Sequence, residues 1–221
     1  METSAAAIWI NNVFANFDLT VTQAIHDIFY PIKAFSGPFF DFVSLMGKGG
    51  IFLILLSLVL IYFRRSRRMG TAMLLGVSIG FIITNCVVKV LIARPRPYID
   101  ESSVYHQLWL LVGQRMESDK SFPSGHTTAA FDTMTALFIT SRNKKIACTA
   151  FIFGFAMILA RIYLVVHYPS DCLGGIVVGV AAGVIGAVIA IHLPRVWYEL
   201  DFSELIRSKQ YSGAHVKGDR K

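Results

Sequence analysis

The segment Gly70–Val90 reads GTAMLLGVSIGFIITNCVVKV, and this stretch decides the class of fold. It is as long as the roughly 20 residues that an α-helix needs to cross the hydrocarbon core of a bilayer. Its one charged side chain, Lys89, stands next to its C-terminal end. The segment therefore predicts a membrane-spanning helix that carries a cation where it leaves the apolar layer.

The rest of the chain repeats this pattern. It has 221 residues, of which 54% are hydrophobic and 16% are charged, and four more apolar runs: Gly49–Phe63, His126–Thr140, Ile146–Val165 and Asp171–Leu193. A soluble bundle of buried helices is the alternative, but five such runs leave too little polar surface to cover them. We expect an all-α, polytopic transmembrane helix bundle with five spans, formed by a single domain of residues 1–221.

The N-terminal region indicates a different arrangement. Residues 1–32 contain no Lys or Arg, Ala5–Phe17 is short and rich in Asn, and Asp18–Met46 is interrupted by charged residues. We therefore expect residues 1–48 to form amphipathic helices on the outer surface of the membrane. A sixth span over Ile25–Met46 is the alternative, and it would place the N-terminus inside.

Basic residues orient the helical core, residues 49–193, and its basic tail, residues 194–221. Two connections are rich in cations: Arg64, Arg65, Arg67 and Arg68 in one, and Arg142, Lys144 and Lys145 in the other. The positive-inside rule places both connections and the tail in the cytoplasm, so residues 93–123 and 167–171 face outside. The net charge of +7 then indicates topology and contact with membrane lipids, and the scattered short basic loops predict no nucleic-acid partner.

Small residues recur inside the apolar runs. Cys86, Cys148 and Cys172 lie in or at the edge of these runs without metal-ligand spacing, so we interpret them as small core residues. Glycines recur every fourth residue in the last run, at Gly175, Gly179 and Gly183. That ladder predicts close packing of the last helix against its neighbours.

Three short polar clusters lie at ends of the apolar runs, on the side that the topology places outside. They are Lys89 with Arg96-Pro97, Pro123-Ser124-Gly125-His126, and Arg161 with His167 and Asp171. Together they supply three cations, two imidazoles and one carboxylate. Such a set of side chains could bind a phosphate, attack its phosphorus atom and protonate its leaving group. Because ionisable groups at a membrane edge are candidates for function, the clusters predict one phosphate-directed site.

The first two clusters favour anion binding. Lys89 and Arg96 are seven residues apart, which on a helix is two turns on one face, and two cations placed in this way suit a multivalent oxyanion. Ser124 is a candidate N-cap of the helix that follows. The free N–H groups of that helix then make an anion site that Gly125 lets the ligand approach closely, with His126 at its mouth.

The third cluster favours a nucleophile. Arg161 can reach the same anion, and a carboxylate at Asp171 would fix the tautomer of His167. The other ring nitrogen of His167 is then free to attack. An exposed loop histidine beside a helix-capping aspartate is the alternative for such a pair taken alone.

The three motifs, Lys-x6-Arg-Pro, Pro-Ser-Gly-His and Arg-x5-His-x3-Asp, resemble in this order the signature of the type 2 phosphatidic acid phosphatase superfamily. The resemblance extends from Lys89 to Asp171 and is closest to the membrane lipid phosphatases of that superfamily. The three motifs together are specific, whereas each alone would be weak. The family often has Ser immediately before the third-motif Arg, and this chain has Ala160 there.

This resemblance implies metal-independent phosphoryl transfer through a phosphohistidine, with no cofactor. It implies that His167 is the nucleophile, that Asp171 orients it, and that His126 is the general acid and later the base. The groups that would hold the phosphoryl oxygens are Lys89, Arg96, Ser124, Gly125 and Arg161. The implied partners are a lipid phosphate or diphosphate substrate and the surrounding membrane lipids.

The resemblance leaves the substrate open. Bacterial undecaprenyl diphosphate phosphatases, which serve cell-wall biogenesis, and phosphatidylglycerophosphate phosphatases are resembled about equally, and an outward site favours the first. A phosphatidic acid phosphatase and a lipid phosphotransferase with the same site are further alternatives. A non-enzymatic membrane protein would not need both histidines and all three cations. A multi-pass protein of the bacterial inner (plasma) membrane, with its site facing the periplasm, is implied.

The outer loop adds cations beyond the motifs. We expect Arg94 or Arg115 to meet a second phosphate or a headgroup, and Trp109 with Leu108–Leu111 to dip into the lipid interface beside the entrance. The alternative is that both Arg side chains only bind lipid headgroups or solvate the loop.

Overall fold

The structure is a computed structural model that describes residues 4–200, and every regular element in this range is a helix. The α-helices are α1 Ala5–Phe29, α2 Lys33–Gly47, α3 Ile51–Tyr62, α4 Arg67–Phe81, α5 Lys89–Ile92, α6 Val104–Leu111, α7 Gly125–Thr140, α8 Lys144–Tyr163, α9 Pro169–His192 and α10 Arg195–Glu199. All five predicted apolar runs are helical, which confirms the all-α fold. Most of the predicted basic tail lies outside the described residues, including Arg207, Lys209, Lys217, Arg220 and Lys221.

Three helical stretches are long and apolar enough to cross a membrane: Ala5–Tyr62, Arg67–Ile92 and Pro169–His192. Ala147–Tyr163 is a shorter apolar helix. Large apolar side chains stand exposed along these helices, for example Leu55, Val177 and Ile152. Such a surface suits lipid and not water, so the fold is a membrane helix bundle. The number of spans, five or six, stays a prediction.

The N-terminal helices differ in their limits from the prediction. α1 continues through Asp18 to Phe29, and a 3₁₀ turn over Tyr30–Ile32, with Pro31 inside it, separates it from α2. Proline lacks the N–H that would continue the helix, so Ile25–Met46 is two helices and not one. α1 contacts the last turn of α8 and the first turn of α9, with the ring of His26 stacked on Tyr163 at 5.3 Å. It therefore crosses one end of the bundle.

Helices α4, α7 and α9 form the centre of the bundle and meet through glycines. A Cβ atom at Gly179 would lie 2.7 Å from the carbonyl oxygen of Thr128 in α7, and one at Gly186 would lie 2.6 Å from the amide of Gly76 in α4. These distances are shorter than any side chain allows, so the backbones touch directly. The predicted glycine ladder is confirmed.

The cysteine interpretation was partly wrong. Cys172 is buried in the core, but Cys86 and Cys148 are exposed on their helices. Both exposed residues sit on the apolar outer surface of the bundle, where a small, weakly polar side chain is compatible with lipid. Apolar composition alone does not tell the inside of a membrane helix from its lipid face, because both are apolar.

The helix ends divide into two sets. α5 and α8 finish, and α7 and α9 begin, at the end of the bundle that α1 crosses, here called the site end. The connections between α3 and α4 and between α7 and α8 lie at the opposite end. There Arg64 donates to the carbonyl of Glu199 at 2.7 Å. Both predicted basic connections are thus at the end away from the polar clusters.

Candidate active site

A cavity of about 280 Å³ at the site end is lined by residues of all three polar clusters. Lys89 and Arg96 of the first cluster line it, as do Gly125 and His126 of the second and His167 of the third. Arg161 lines an adjoining cavity that also includes His126. The sequence motifs, which are separated by up to 82 positions between Lys89 and Asp171, therefore meet at one place.

Lys89 and Arg96 reach the cavity from different kinds of backbone. The last helical residue is Ile92, and Ala93 adopts a left-handed conformation with φ 51°. Arg96 is extended, so the expectation that both cations share one helical face was wrong. They converge nevertheless, since both side chains contact the carboxylate of Asp119. The turn at Ala93, and not a shared helical face, brings the two side chains together.

The ring of His167 is buried, with 2% of its surface exposed. Its Nε2 atom lies 3.3 Å from Nη1 of Arg96, and its Nδ1 atom lies 3.5 Å from Oδ2 of Asp171. Burial holds the pKa of His167 well below its usual range, and the charges of Arg96, Arg161 and Lys89 lower it further. The ring is therefore neutral at physiological pH, as a nitrogen nucleophile requires.

Asp171 is held by several donors at once. Its Oδ1 accepts from Nη1 of Arg94 at 2.6 Å, and its Oδ2 accepts from the amide of Tyr168 at 2.9 Å and from the hydroxyl of Ser121. These bonds leave the carboxylate little freedom to rotate. The position of the Asp171 carboxylate therefore depends on a wider set of residues than the motif contains.

The N-terminus of α7 forms one wall of the cavity. Ser124 caps the helix, because its Oγ accepts from the amide of Thr127 at 3.4 Å, which confirms the predicted N-cap. A Cβ at Gly125 would lie 3.7 Å from Nζ of Lys89, so the missing side chain keeps the helix end open beside that ammonium. Unpaired N–H groups and a positive helix end favour an anion here.

Arg161 lies where the two cavities adjoin, because it contacts His126 and Glu117, which line both. Its Nη1 atom donates to Oγ of Ser44 at 2.5 Å and lies 3.4 Å from Nε2 of His126. Its Nη2 atom pairs with Glu117. The guanidinium is 2% exposed, so it is a buried cation held next to the histidine that would serve as acid.

Two acidic residues of the outer loop were missed by the sequence interpretation. Asp119 pairs with Lys89 and Arg96, and Glu117 pairs with Arg161, so two carboxylates occupy the three cations. Burial raises the pKa of Asp119, but Lys89 and Arg96 outweigh it and hold that pKa below its ordinary value. Asp119 is therefore charged, and it pairs with two of the cations that the resemblance assigns to the phosphoryl oxygens. The signal was present as two acids within seven residues of the Pro-Ser-Gly-His motif.

Arg94 does not lie at the cavity. Its guanidinium is 1% exposed and bonds Asp18 at 2.9 Å and Asp171 at 2.6 Å. This placement argues against the predicted contact with a second phosphate and against the alternative of a solvated loop cation. Trp109 is also buried: its ring stacks on Tyr98 at 4.9 Å and its Nε1 donates to the carbonyl of Arg115. It packs the loop and does not dip into lipid, whereas Leu110 and Leu111 are exposed.

Arg115 lies at a second cavity of about 520 Å³ that adjoins the first. Its side chain is exposed and pairs with Asp41 of α2 at 3.0 Å. Lys48 lines both cavities from the turn between α2 and α3, as do His126 and Glu117. Among the described residues, no group of three His, Cys, Asp or Glu side chains could hold a metal ion. The positive charge of the site comes from Lys and Arg.

A bundle of membrane helices with a buried, cationic, two-histidine cavity at one end defines a membrane protein built to receive a phosphate. A model of the PAP2 superfamily matches residues 68–195, more than half of the chain, and the chain belongs to this superfamily. The resemblance drawn from the three motifs is confirmed. Residues 1–67, which include α1 and Lys48, precede the matched segment.

The chain is similar to several characterised relatives. It is 34% identical to the undecaprenyl-diphosphatase BcrC of Bacillus subtilis over 48% of this chain and 50% of that protein. It is 27% identical to an undecaprenyl-diphosphatase of Sulfolobus acidocaldarius over 62% and 63%, and 25% identical to a lipid A 4'-phosphatase of Bacteroides thetaiotaomicron over 64% and 66%. The chain thus spans about half to two thirds of the length of the curated relatives it matches.

A solved structure supports the same fold. The crystal structure of Aquifex aeolicus LpxE superposes with a TM-score of 0.61 at 25% sequence identity. The superposition covers 76% of this chain and 93% of that chain. The helical fold is therefore similar to that of a protein of known structure.

Proposed function

We propose that this protein is an integral membrane lipid phosphatase that hydrolyses a lipid phosphate or diphosphate through a phosphohistidine. The observation that carries the proposal is the setting of His167: a neutral, buried ring whose Nε2 points at Arg96 and whose Nδ1 points at Asp171. His126 lines the same cavity at the side of Arg161. A nucleophile and an acid thus face one cationic space.

The chemistry follows from these positions. Nε2 of His167 attacks the phosphorus atom, the bond from phosphorus to the leaving oxygen breaks, and protonated His126 gives its proton to that oxygen. Water then attacks the phosphohistidine while His126 takes up a proton, the P–N bond breaks, and inorganic phosphate leaves. Asp171 keeps the proton on Nδ1 and stabilises the positive ring.

The cations stabilise the charge that develops on phosphorus. Lys89, Arg96 and Arg161 are each at least 94% buried, so their fields are screened less than those of surface cations. Removal of one such oriented group typically costs on the order of 10²–10³ in rate. Phosphoryl transfer of this kind rests mainly on positioning and electrostatics.

The substrate that we propose is a polyprenyl diphosphate such as undecaprenyl diphosphate. Two relatives are named undecaprenyl-diphosphatases. The second cavity is further support for a diphosphate substrate. It opens beside His126, where the leaving group takes its proton, and Lys48 and Arg115 line it. These two cations would stabilise a leaving lipid phosphate, which is charged, whereas a leaving alcohol is neutral and would gain little from them.

We further propose that the protein lies in the inner (plasma) membrane with its site facing the periplasm or cell exterior. The two basic connections are at the end opposite the cavity, which supports this orientation through the positive-inside rule. Phosphatidylglycerophosphate, phosphatidic acid and the lipid A of the Bacteroides relative are the alternative substrates.

The test is phosphate release by the purified protein on undecaprenyl diphosphate, phosphatidylglycerophosphate, phosphatidic acid and lipid A, in EDTA. We expect phosphate release in EDTA, because the Lys and Arg residues neutralise the phosphate without a metal ion. We expect the highest rate on the diphosphate, because Lys48 and Arg115 line the second cavity. His167→Ala should abolish turnover, Asp171→Asn should leave a small fraction, and His192→Ala, at the opposite end of the bundle, should leave the rate unchanged.

Two results would count against this proposal. Near-normal release by His167→Ala would overturn the covalent mechanism, and strict dependence on Mg²⁺ would overturn metal-independent catalysis. Transfer of labelled phosphate to another lipid or to a sugar, with little release to water, would identify the phosphotransferase alternative instead.

The diphosphate subsite has its own test. Lys48→Gln and Arg115→Gln should lower kcat/KM on a polyprenyl diphosphate about tenfold more than on the matching monophosphate, as expected for loss of one charged hydrogen bond. Lys33→Gln, on an exposed lysine of α2 whose ammonium contacts Tyr30, is the matched control. Equal losses on both substrates would remove the subsite while leaving the phosphatase proposal intact.

A further inference from the structure

A single buried guanidinium joins the N-terminal helix to the third motif. Arg94 donates from Nη2 to Asp18 of α1 at 2.9 Å and from Nη1 to Asp171 of α9 at 2.6 Å. It also donates to Ser170 at 2.7 Å and to Asn11 at 2.8 Å. Four of its five N–H groups are directed at these four residues, and its face packs on a tyrosine ring 3.9 Å away.

Asp18 also binds the first turn of α9 directly. Its Oδ1 accepts from the amide of Ser170 at 2.8 Å, and its Oδ2 accepts from the hydroxyl of Ser170 at 2.7 Å. Ser170 directly precedes Asp171 in the first turn of α9. Asp18 therefore holds the backbone from which Asp171 projects and also the cation that Asp171 contacts.

This arrangement has a consequence for His167. Oδ1 of Asp171 belongs to Arg94, and Oδ2 faces Nδ1 of His167 at 3.5 Å. A carboxylate is planar, so the bond at one oxygen sets the direction of the other. A shift of Arg94 would leave Asp171 held at Oδ2 alone, by Ser121 and the amide of Tyr168, and would change the charge beside the ring of His167.

The charges of these residues also connect Asp18 to His167. Asp171 is 0% exposed, Asp18 and Arg94 are 1% exposed, and the three form a row of negative, positive and negative groups. The positive ring that forms on His167 during attack is stabilised by Asp171. Without Asp18, the charge of Arg94 would be less balanced and would weaken the pull of Asp171 on that ring.

We propose that Asp18 and Arg94 are positioning residues for phosphoryl transfer at His167, acting through Asp171. The inference rests on the proposed function and deepens it: α1, which lies outside the matched PAP2 segment, supplies part of the site's support. Asp18 is conspicuous for this role because it is a buried carboxylate on a helix whose other acidic residue, Asp27, is exposed.

The experiment is a double-mutant cycle on the full-length protein in detergent, with steady-state kinetics of phosphate release. Asp18→Asn should lower kcat about 10- to 100-fold with KM changed less than about twofold, because the fault lies in the orientation of the nucleophile and not in phosphate binding. Asp27→Asn, the same substitution on the exposed side of α1, should match the wild type.

The Asp171→Asn background distinguishes positioning from a structural role. There, Asp18→Asn should lower kcat by less than about twofold, since the group through which it acts is already changed. A full further loss of 10-fold or more in that background, or an unchanged kcat in the single variant, would overturn the inference.

Folding and the proposed function are checked alongside. If Asp18→Asn does not give folded protein, Asn11→Ala removes only the bond to Nε of Arg94, and we expect about a threefold loss of kcat that likewise disappears with Asp171→Asn. If the wild type and Asp27→Asn release no phosphate from any lipid, the proposed function fails and this inference with it. If both are active and Asp18→Asn equals them, only this inference fails.

Discussion

The contact between His167 and Arg96 determines the tautomer of the proposed nucleophile. A guanidinium has only donors, so Nε2 of His167, 3.3 Å from Nη1 of Arg96, must carry the lone pair. The ring proton then sits on Nδ1, on the side of Asp171. A phosphate that draws Arg96 towards its own oxygens would free Nε2 for attack at the moment that the substrate binds.

The pH dependence follows from the same surroundings. Burial and three neighbouring cations hold the pKa of His167 below its ordinary value of 6.5, so the neutral form persists in acid. Lowering the pKa of a base moves the loss of its neutral form to lower pH. We therefore expect the acid limb of kcat/KM, measured against pH, to lie below 6.5. An acid limb at or above that value would contradict the neutral, cation-flanked ring.

At this scale the sequence predicted the motif residues but not their partners. His126, His167 and the cations could be grouped because their spacing is specific. Asp18, Glu117 and Asp119 could not, since an ion pair between distant segments depends on how the helices approach and leaves no periodic signal. Arg94 was misassigned for the same reason: proximity to Arg96 in sequence says nothing about the direction of its side chain.

Among the elements, the loop before α7 has the most direct bearing on binding. Its carboxylates contact Lys89, Arg96 and Arg161, and the loop is anchored where the amide of Glu117 donates to the hydroxyl of Tyr98 at 3.0 Å. If these cations bind the substrate phosphate as proposed, that phosphate competes with this acidic segment. We therefore expect a lower affinity than the cations alone would provide.

Asp119→Asn tests this competition. With the charge removed, vanadate and phosphate should inhibit at roughly fivefold lower concentration, which corresponds to the about 1 kcal/mol of a half-exposed ion pair. Asp100→Asn is the matched control, because Asp100 is an exposed residue of the same outer segment whose carboxylate accepts from Ser102, two residues away. Weaker inhibition of Asp119→Asn would show that Asp119 helps to bind the anion and does not compete with it.

Helix packing gives a prediction about stability. At Gly179 an added Cβ would meet the backbone oxygen of Thr128 at 2.7 Å, and a backbone atom of a neighbouring helix cannot move aside as a side chain can. Gly179→Ala should therefore destabilise the protein by about 1–3 kcal/mol, seen as a lower melting midpoint in detergent. Gly37→Ala has open space within 4 Å and should melt no lower than the wild type. Equal midpoints for both variants would mean that α7 and α9 are not in direct contact.

The apolar runs predicted the central helices well and the N-terminal ones less well. Long apolar segments with at most one Lys, Arg, Asp or Glu, such as Gly70–Val90, have one interpretation, and each forms a helix. The stretch before Gly49 mixes apolar and charged residues, so its limits depended on Pro31 and on tertiary contacts of α1 with the site end. Those contacts cannot be read from composition.

At the scale of the whole molecule, the proposed active site and the two basic connections are separated along the bundle. The cavity lies at one end, and the connections with Arg64–Arg68 and Arg142–Lys145 lie at the other. α1 lies across the site end with Ile8, Trp9 and Val13 exposed, an apolar surface that suits the interface of the same leaflet. A lipid substrate could then enter from the membrane plane while its phosphate reaches the cations at the edge.

This separation predicts the orientation in the cell. In a variant with Cys86, Cys148 and Cys172 replaced by Ser, we expect Glu101→Cys in the outer loop to react with a membrane-impermeant maleimide added to intact spheroplasts. Arg142→Cys, in the connection between α7 and α8, should react only after permeabilisation, since basic connections stay on the cytoplasmic side. Both positions are exposed, so a difference in labelling reports sidedness and not burial. The reverse pattern would place the cavity in the cytoplasm, and it would remove the argument that favours a polyprenyl diphosphate released on the outer face.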